Sequence, residues 1–159
     1  QYIDFVFFFK IHKKNKFFLK KIGINKECES IREIISNHTK ENDKIYFKID
    51  IEGSEYEILD QLISFKERIQ GIVIEFHNTT KNLKTIDSFL KRIGNDLNLV
   101  HIHANNYSTK DLNQFPEAIE LTLSSADLKS MGIDEYREYP IKNLDFPNSK
   151  RSPDIKINF

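Results

Sequence analysis

Acids and imidazoles recur two residues apart at three places in the chain: Asp50 with Glu52, Glu75 with His77, and His101 with His103, followed by Asn105. Side chains two apart share a face of extended backbone, so each set can project from the end of one β-segment. A carboxylate or imidazole held there can take the proton of a hydroxyl. The same groups can grip a divalent cation through oxygen and nitrogen. Spacing alone leaves both chemistries open. Each set also has a plainer reading. Asp50 or Glu52 could simply face the positive end of a following helix. Glu75 could be paired structurally with His77 or Lys48, because an unpaired carboxylate is costly to bury. His101 and His103 could be ordinary hydrogen-bonded histidines.

The surrounding residues supply elements to position these groups. Residues 45–51 alternate as a strand, Glu52-Gly53 form a turn, and Ser54 with Glu57 make the S-x-x-E pattern of a capping box. Ile58, Leu59, Leu62 and Ile63 then give one helical face. Residues 69–77 read as a second strand. Leu83, Ile86, Phe89, Leu90 and Ile93 space as a helix that Gly94 stops. Residues 97–104 and 118–123 read as further strands. Upstream, residues 4–11 and 16–22 are β-rich around a polar turn, His12-Lys13-Lys14-Asn15, and residues 26–37 carry Ile31, Ile34 and Ile35 on one helical face. The tail ends in an alternating stretch, 154–159, that suggests an edge strand. Strand–helix–strand–helix–strand order predicts one α/β domain with a mostly parallel, Rossmann-like sheet and crossover helices. In such sheets ligands bind outside the carboxyl ends of the strands, where the three polar sets fall.

Composition narrows the function. The chain has 159 residues, with Lys+Arg 24 against Asp+Glu 24, so no basic excess favours nucleic acid. The five glycines are widely separated, which excludes a glycine-rich phosphate cradle of either common type. A single cysteine, Cys28, excludes a disulfide framework and a cysteine-based zinc site. It points to a reducing, cytoplasmic compartment. The longest apolar run, residues 5–9, is far too short for a membrane span. Lys13, Lys14, Lys16, Lys20 and Lys21 form a basic cluster best read as a solvated, edge-protecting face. Sequons at Asn37, Asn78 and Asn106 read as chance matches.

The stretch Lys48-Ile49-Asp50-Ile51-Glu52-Gly53-Ser54-Glu55-Tyr56-Glu57-Ile58-Leu59 resembles the hallmark of the FkbM-type family of S-adenosylmethionine-dependent methyltransferases. Ile72-Val73-Ile74-Glu75-Phe76-His77 resembles the family's following strand. His101-Ile102-His103-Ala104-Asn105-Asn106-Tyr107 resembles a later block in a subset of these proteins, as do Pro116, Glu120-Leu121-Thr122, Leu144-Asp145-Phe146-Pro147-Asn148 and Pro153-Asp154. The similarity covers residues 45–159 and is weaker before them. It implies a class I methyltransferase fold and methyl transfer from S-adenosylmethionine to a hydroxyl of a sugar or natural product. Carried over by position, Asp50 and Glu52 lie beside the donor. Glu75 and His77 then face the acceptor as catalytic groups, and His101, His103 and Asn105 contact it. The glycine-rich donor loop of that fold has no counterpart here, so the resemblance is to the C-terminal part of such a domain, with the loop expected upstream of Gln1.

Three functions follow as expectations. The first is an O-methyltransferase acting on a small-molecule or glycan acceptor, with neither nucleic acid nor membrane as partner. The second is a noncatalytic methyltransferase-like module that keeps the half-sheet for binding. The third is a divalent-metal enzyme using Asp50, Glu75 and His77. An incomplete sheet also predicts self-association through an exposed strand edge.

Overall fold

Alternation and period decide which elements form. In the strand Ile45–Ile49, labelled β2, Ile45, Phe47 and Ile49 are buried while Tyr46 and Lys48 face outward. The computed structural model describes residues 6–8, 22–23, 28–108, 110, 115–126 and 138–157, the first three as backbone only. The elements in order are β1 (Val6–Phe8), α1 (Ile31–His38), β2, α2 (Glu55–Ser64), β3 (Ile69–His77), α3 (Thr79–Ile93), β4 (Asn98–Ala104) and β5 (Ala118–Ser124). The basic cluster, most of the two early β-rich segments and the start of the first expected helix lie outside the described residues.

The strands form one five-stranded sheet in the order β1-β2-β3-β5-β4. β2 and β3 are parallel, joined through α2. β5 runs antiparallel to both β3 and β4, and β1 antiparallel to β2. The expectation of a mostly parallel sheet is therefore corrected: the sheet is mixed. The reason lies in the link between β4 and β5. Residues 105–117 carry no helical apolar period, and no helix occurs there among the described residues. Without a crossover helix, β5 returns beside β4 in the opposite sense and slots in next to β3. β2, β3 and β4 still point the same way, so their carboxyl ends share one rim.

One face of this sheet is apolar and the other polar. Phe47 pairs in register with Ile72, Ile72 with Leu123, Ile49 with Ile74, and Ile74 with Leu121. These residues join Ile31, Ile34 and Ile35 of α1, Ile58, Leu59 and Leu62 of α2, and Ile86, Phe89 and Ile93 of α3 in a single core. All three described helices thus pack on that face. The opposite face carries Lys48, Val73, Thr122 and His101 in one row, then Glu75, Glu120 and His103 in the next. A shallow groove of about 490 Å³ runs over it beside Tyr46, Gly71 and Val73. A Cβ at Gly71 would lie 3.0 Å from the Tyr46 ring and 3.3 Å from the Leu123 carbonyl, so only glycine allows this close approach.

Caps follow the local chemistry with one exchange. α1 has a full capping box, with Ser30 Oγ accepting from the Glu33 amide at 3.2 Å and the Ser30 amide donating to the Glu33 carboxylate at 2.8 Å. The box expected at Ser54 and Glu57 does not form. Ser54 has φ −97° and ψ 7°, not the extended backbone an N-cap needs, and its side chain makes no cap bond. The expected edge strand at 154–159 does not form over its described residues, 154–157, either. Tyr139 and Ile157 form an isolated bridge.

Candidate active site

The hallmark stretch leaves its strand through a tight turn. Glu52 has φ 52° and Gly53 φ 103°, two consecutive left-handed residues that reverse the chain before α2. The extended backbone therefore ends before Glu52. Asp50 and Glu52 do not share a strand face, yet both reach the rim. Asp50 is exposed and makes no hydrogen bond or ion pair among the described residues. Glu52 is exposed, with a carboxylate oxygen 3.7 Å from His77 Nε2.

Glu75 and His77 close β3 on the same face. Glu75 is 8% exposed, and its charge is met by the Asn105 amide, which donates at 2.6 Å. The partner is thus neither His77 nor Lys48, since Lys48 instead pairs with Glu120 at 2.7 Å. Asp50, Glu75 and His77 each present an atom within 4.8 Å of the others. Three ligands of an octahedral Mg²⁺-like ion with bonds of about 2.1 Å include at least two cis pairs about 3.0 Å apart, so these groups would have to draw together around one.

His77 is held from behind by α2. Its Nδ1 lies 2.9 Å from Glu55 Oε1, and that same oxygen accepts the Gly53 amide at 3.0 Å and the Ile51 amide at 3.3 Å. The next residue, Tyr56, donates its hydroxyl to the His77 carbonyl at 2.6 Å. The hydrogen bond with Glu55 raises the His77 pKa above its ordinary value; burial opposes this, and the charges of Glu55, Glu75 and Glu52 reinforce it. Burial, with the Glu55 charge added, pushes the Tyr56 hydroxyl up to about 12, so it stays a donor.

The third set divides. Asn105 reaches the site through Glu75, as above. His101 Nε2 lies 2.9 Å from Asp145, and His103 Nε2 lies 3.2 Å from Asp154. Both aspartates belong to the tail, which crosses this part of the polar face. Asn106 is 8% exposed and fastens the same tail, donating to the Ser149 and Ser152 carbonyls while its own oxygen accepts the Ser149 amide. Glu55, Tyr56, Asp145 and Asp154 were not singled out from sequence as functional. Glu55 had one signal, an acid at the first turn of a helix directly after the hallmark glycine.

A three-strand carboxyl rim carrying acids and imidazoles is where open α/β sheets bind their ligands. The profile of the methyltransferase FkbM domain matches residues 7–128, and the chain belongs to that family. The match begins upstream of the segment where the resemblance was strongest and stops short of the tail with Asp145 and Asp154. Neither a curated protein nor a solved structure matches the chain. No helix among the described residues is long and apolar enough to cross a membrane.

Proposed function

We propose that this chain provides the acceptor side of an S-adenosylmethionine-dependent O-methyltransferase, with His77 as the base that takes the acceptor hydroxyl's proton. The observation that carries this is the convergence of Asp50, Glu75 and His77 at the carboxyl rim. Glu55 Oε1 already accepts two backbone amides, so it acts as acceptor toward Nδ1 as well, and Nδ1 carries the ring proton. Nε2 is left with its lone pair.

The residues present fit the donor on one side. Asp50 and Glu52 are exposed acids at the rim, and Asp50 has no partner among the described residues. Either can face a sulfonium or ammonium charge. When bound, S-adenosylmethionine supplies an electrophilic methyl group on sulfur. Nε2 would take the acceptor hydroxyl's proton as that oxygen takes up the methyl group, with Asp50 and Glu52 holding the donor. Glu75, steadied by Asn105, can orient the acceptor through a further hydroxyl. Holding acceptor and donor in line supplies most of the rate. The acceptor is a hydroxyl of a sugar or natural product, in keeping with the acidic, hydrogen-bonding rim.

Calorimetry with S-adenosylhomocysteine tests the donor side. Binding that Asp50→Asn weakens by tenfold or more is expected. Absence of binding would favour the noncatalytic module. The metal reading has support in the Asp50, Glu75 and His77 spacing. Thermal stabilisation by Mg²⁺ or Mn²⁺ that Asp50→Ala removes would favour it over a free base.

A further inference from the structure

Glu55 is the one carboxylate of the site with no direct route to a ligand. It is 0% exposed, and its second oxygen, Oε2, is buried without a hydrogen-bond partner. Burying a carboxylate is costly, and a helix start does not require it. A serine, threonine or asparagine cap accepts from amides of the helix's own first turn, whereas Glu55 accepts from the Ile51 and Gly53 amides, which precede the helix. Here the cap residue, Ser54, makes no side-chain bond, and the acid one position later turns inward. That inward turn brings it to His77, on another element.

We infer that Glu55 is a positioning residue: it fixes the His77 ring with its proton on Nδ1 and its lone pair on Nε2, aimed at the rim. This rests on the reading of His77 as base. Three features support it together. Glu55 Oε1 meets Nδ1 at 2.9 Å. The turn that carries it is locked, because the Gly53 and Ile51 amides donate to the same oxygen. Tyr56 holds the His77 carbonyl at 2.6 Å, so neighbouring residues of α2 fix both the ring and the backbone of one histidine. The arrangement has the logic of a carboxylate–imidazole pair, in which the acid does not itself take the proton but sets the tautomer and steadies the imidazolium. The groups around His77 are Asp50 from the end of β2, Glu52 from the turn, Glu55 and Tyr56 from α2, and Glu75 from β3.

The test does not need the acceptor. Nitrogen-15 NMR of the imidazoles in the full chain reads which ring nitrogen carries the proton when the ring is neutral. The expected result is Nδ1–H for His77, retained in Glu55→Gln, whose amide oxygen still accepts. In Glu55→Met the Nδ1–H form loses its partner, and its population relative to Nε2–H falls on the order of tenfold. Carbethoxylation of His77 by diethyl pyrocarbonate, mapped by mass spectrometry at a pH where the ring is neutral in both proteins, should slow in parallel as Nε2 gains the proton. Glu55→Asp, which withdraws the carboxylate by one methylene, gives the same change should the methionine variant fail to fold. Nε2–H in the wild type, or an unchanged tautomer in both the methionine and aspartate variants, overturns the inference. Failure of the base reading looks different: His77→Asn would keep methyl transfer while the wild-type tautomer remained Nδ1–H.

Discussion

Gly53 holds the turn from which the site is built, and its replacement can be worked through in numbers. Its φ of 103° lies outside the small left-handed region open to residues with a Cβ. A Cβ there would meet Asn78 Nδ2 at 3.5 Å, an ordinary contact, so Gly53→Ala adds no clash. The cost is backbone strain alone, about 1–3 kcal/mol. For a chain of this size each kcal/mol moves Tm by about 2–4 °C, so Gly53→Ala should melt roughly 2–12 °C lower. Gly53→Val should fall further, because a β-branched side chain resists that backbone more strongly. Calorimetry on wild type and both variants measures this. The alanine variant keeps the amide that donates to Glu55, so the folded variant should keep His77 in the wild-type tautomer. A Tm within 1 °C of wild type would refute the strain argument and with it the left-handed turn.

Stability should depend on pH through His77. Its folded pKa is raised, so the stability that the imidazolium gains is complete below about pH 6.5 and fades as pH rises through the elevated value. The urea midpoint lost in His77→Gln should therefore shrink from pH 5.5 to pH 9; a loss that grows with pH would contradict the sign. Asn105→Ala removes the donor on nearly buried Glu75 and should cost about 1–3 kcal/mol in urea unfolding, with no change expected only if water replaces the amide fully. Asp154→Asn should loosen the tail and speed tryptic cleavage at Lys150 and Arg151, and in a His103→Asn background it should add little further.

The core elements were readable because their residues repeat with one period and stop sharply. β3 spans 69–77 in both the sequence and the structure, since Ile69, Gly71, Ile72, Val73 and Ile74 lead to an acid and a histidine and then Asn78 turns with φ 51°. α2 begins near where the turn glycine places it. The direction of β5 could be read only from the 105–117 link, which lacks a helical apolar period, because strand composition says nothing about polarity. The capping box at Ser54 failed although its letters were right, because backbone angles select a cap before side chains do. Asp50, Glu75 and His77 come together as the spacing led one to expect, because strand alternation projects them to one rim. Glu55 was harder, since burial of a helix-start acid depends on a histidine 22 residues later. The partners of His101 and His103 lie 44 and 51 residues away, beyond any local pattern.

The tail's grip on β4 bears on where this unit can be cut. Trimming the polypeptide to the stretch that defines its kinship would remove Asp145, Asp154 and the carbonyls that seat Asn106. Two imidazoles and a buried amide would then meet solvent on the outermost strand, next to the asparagine that steadies Glu75. The family match and the contacts that seat β4 thus end in different places, and expression fragments cut at the former should yield a protein with a frayed edge and an ill-set acid.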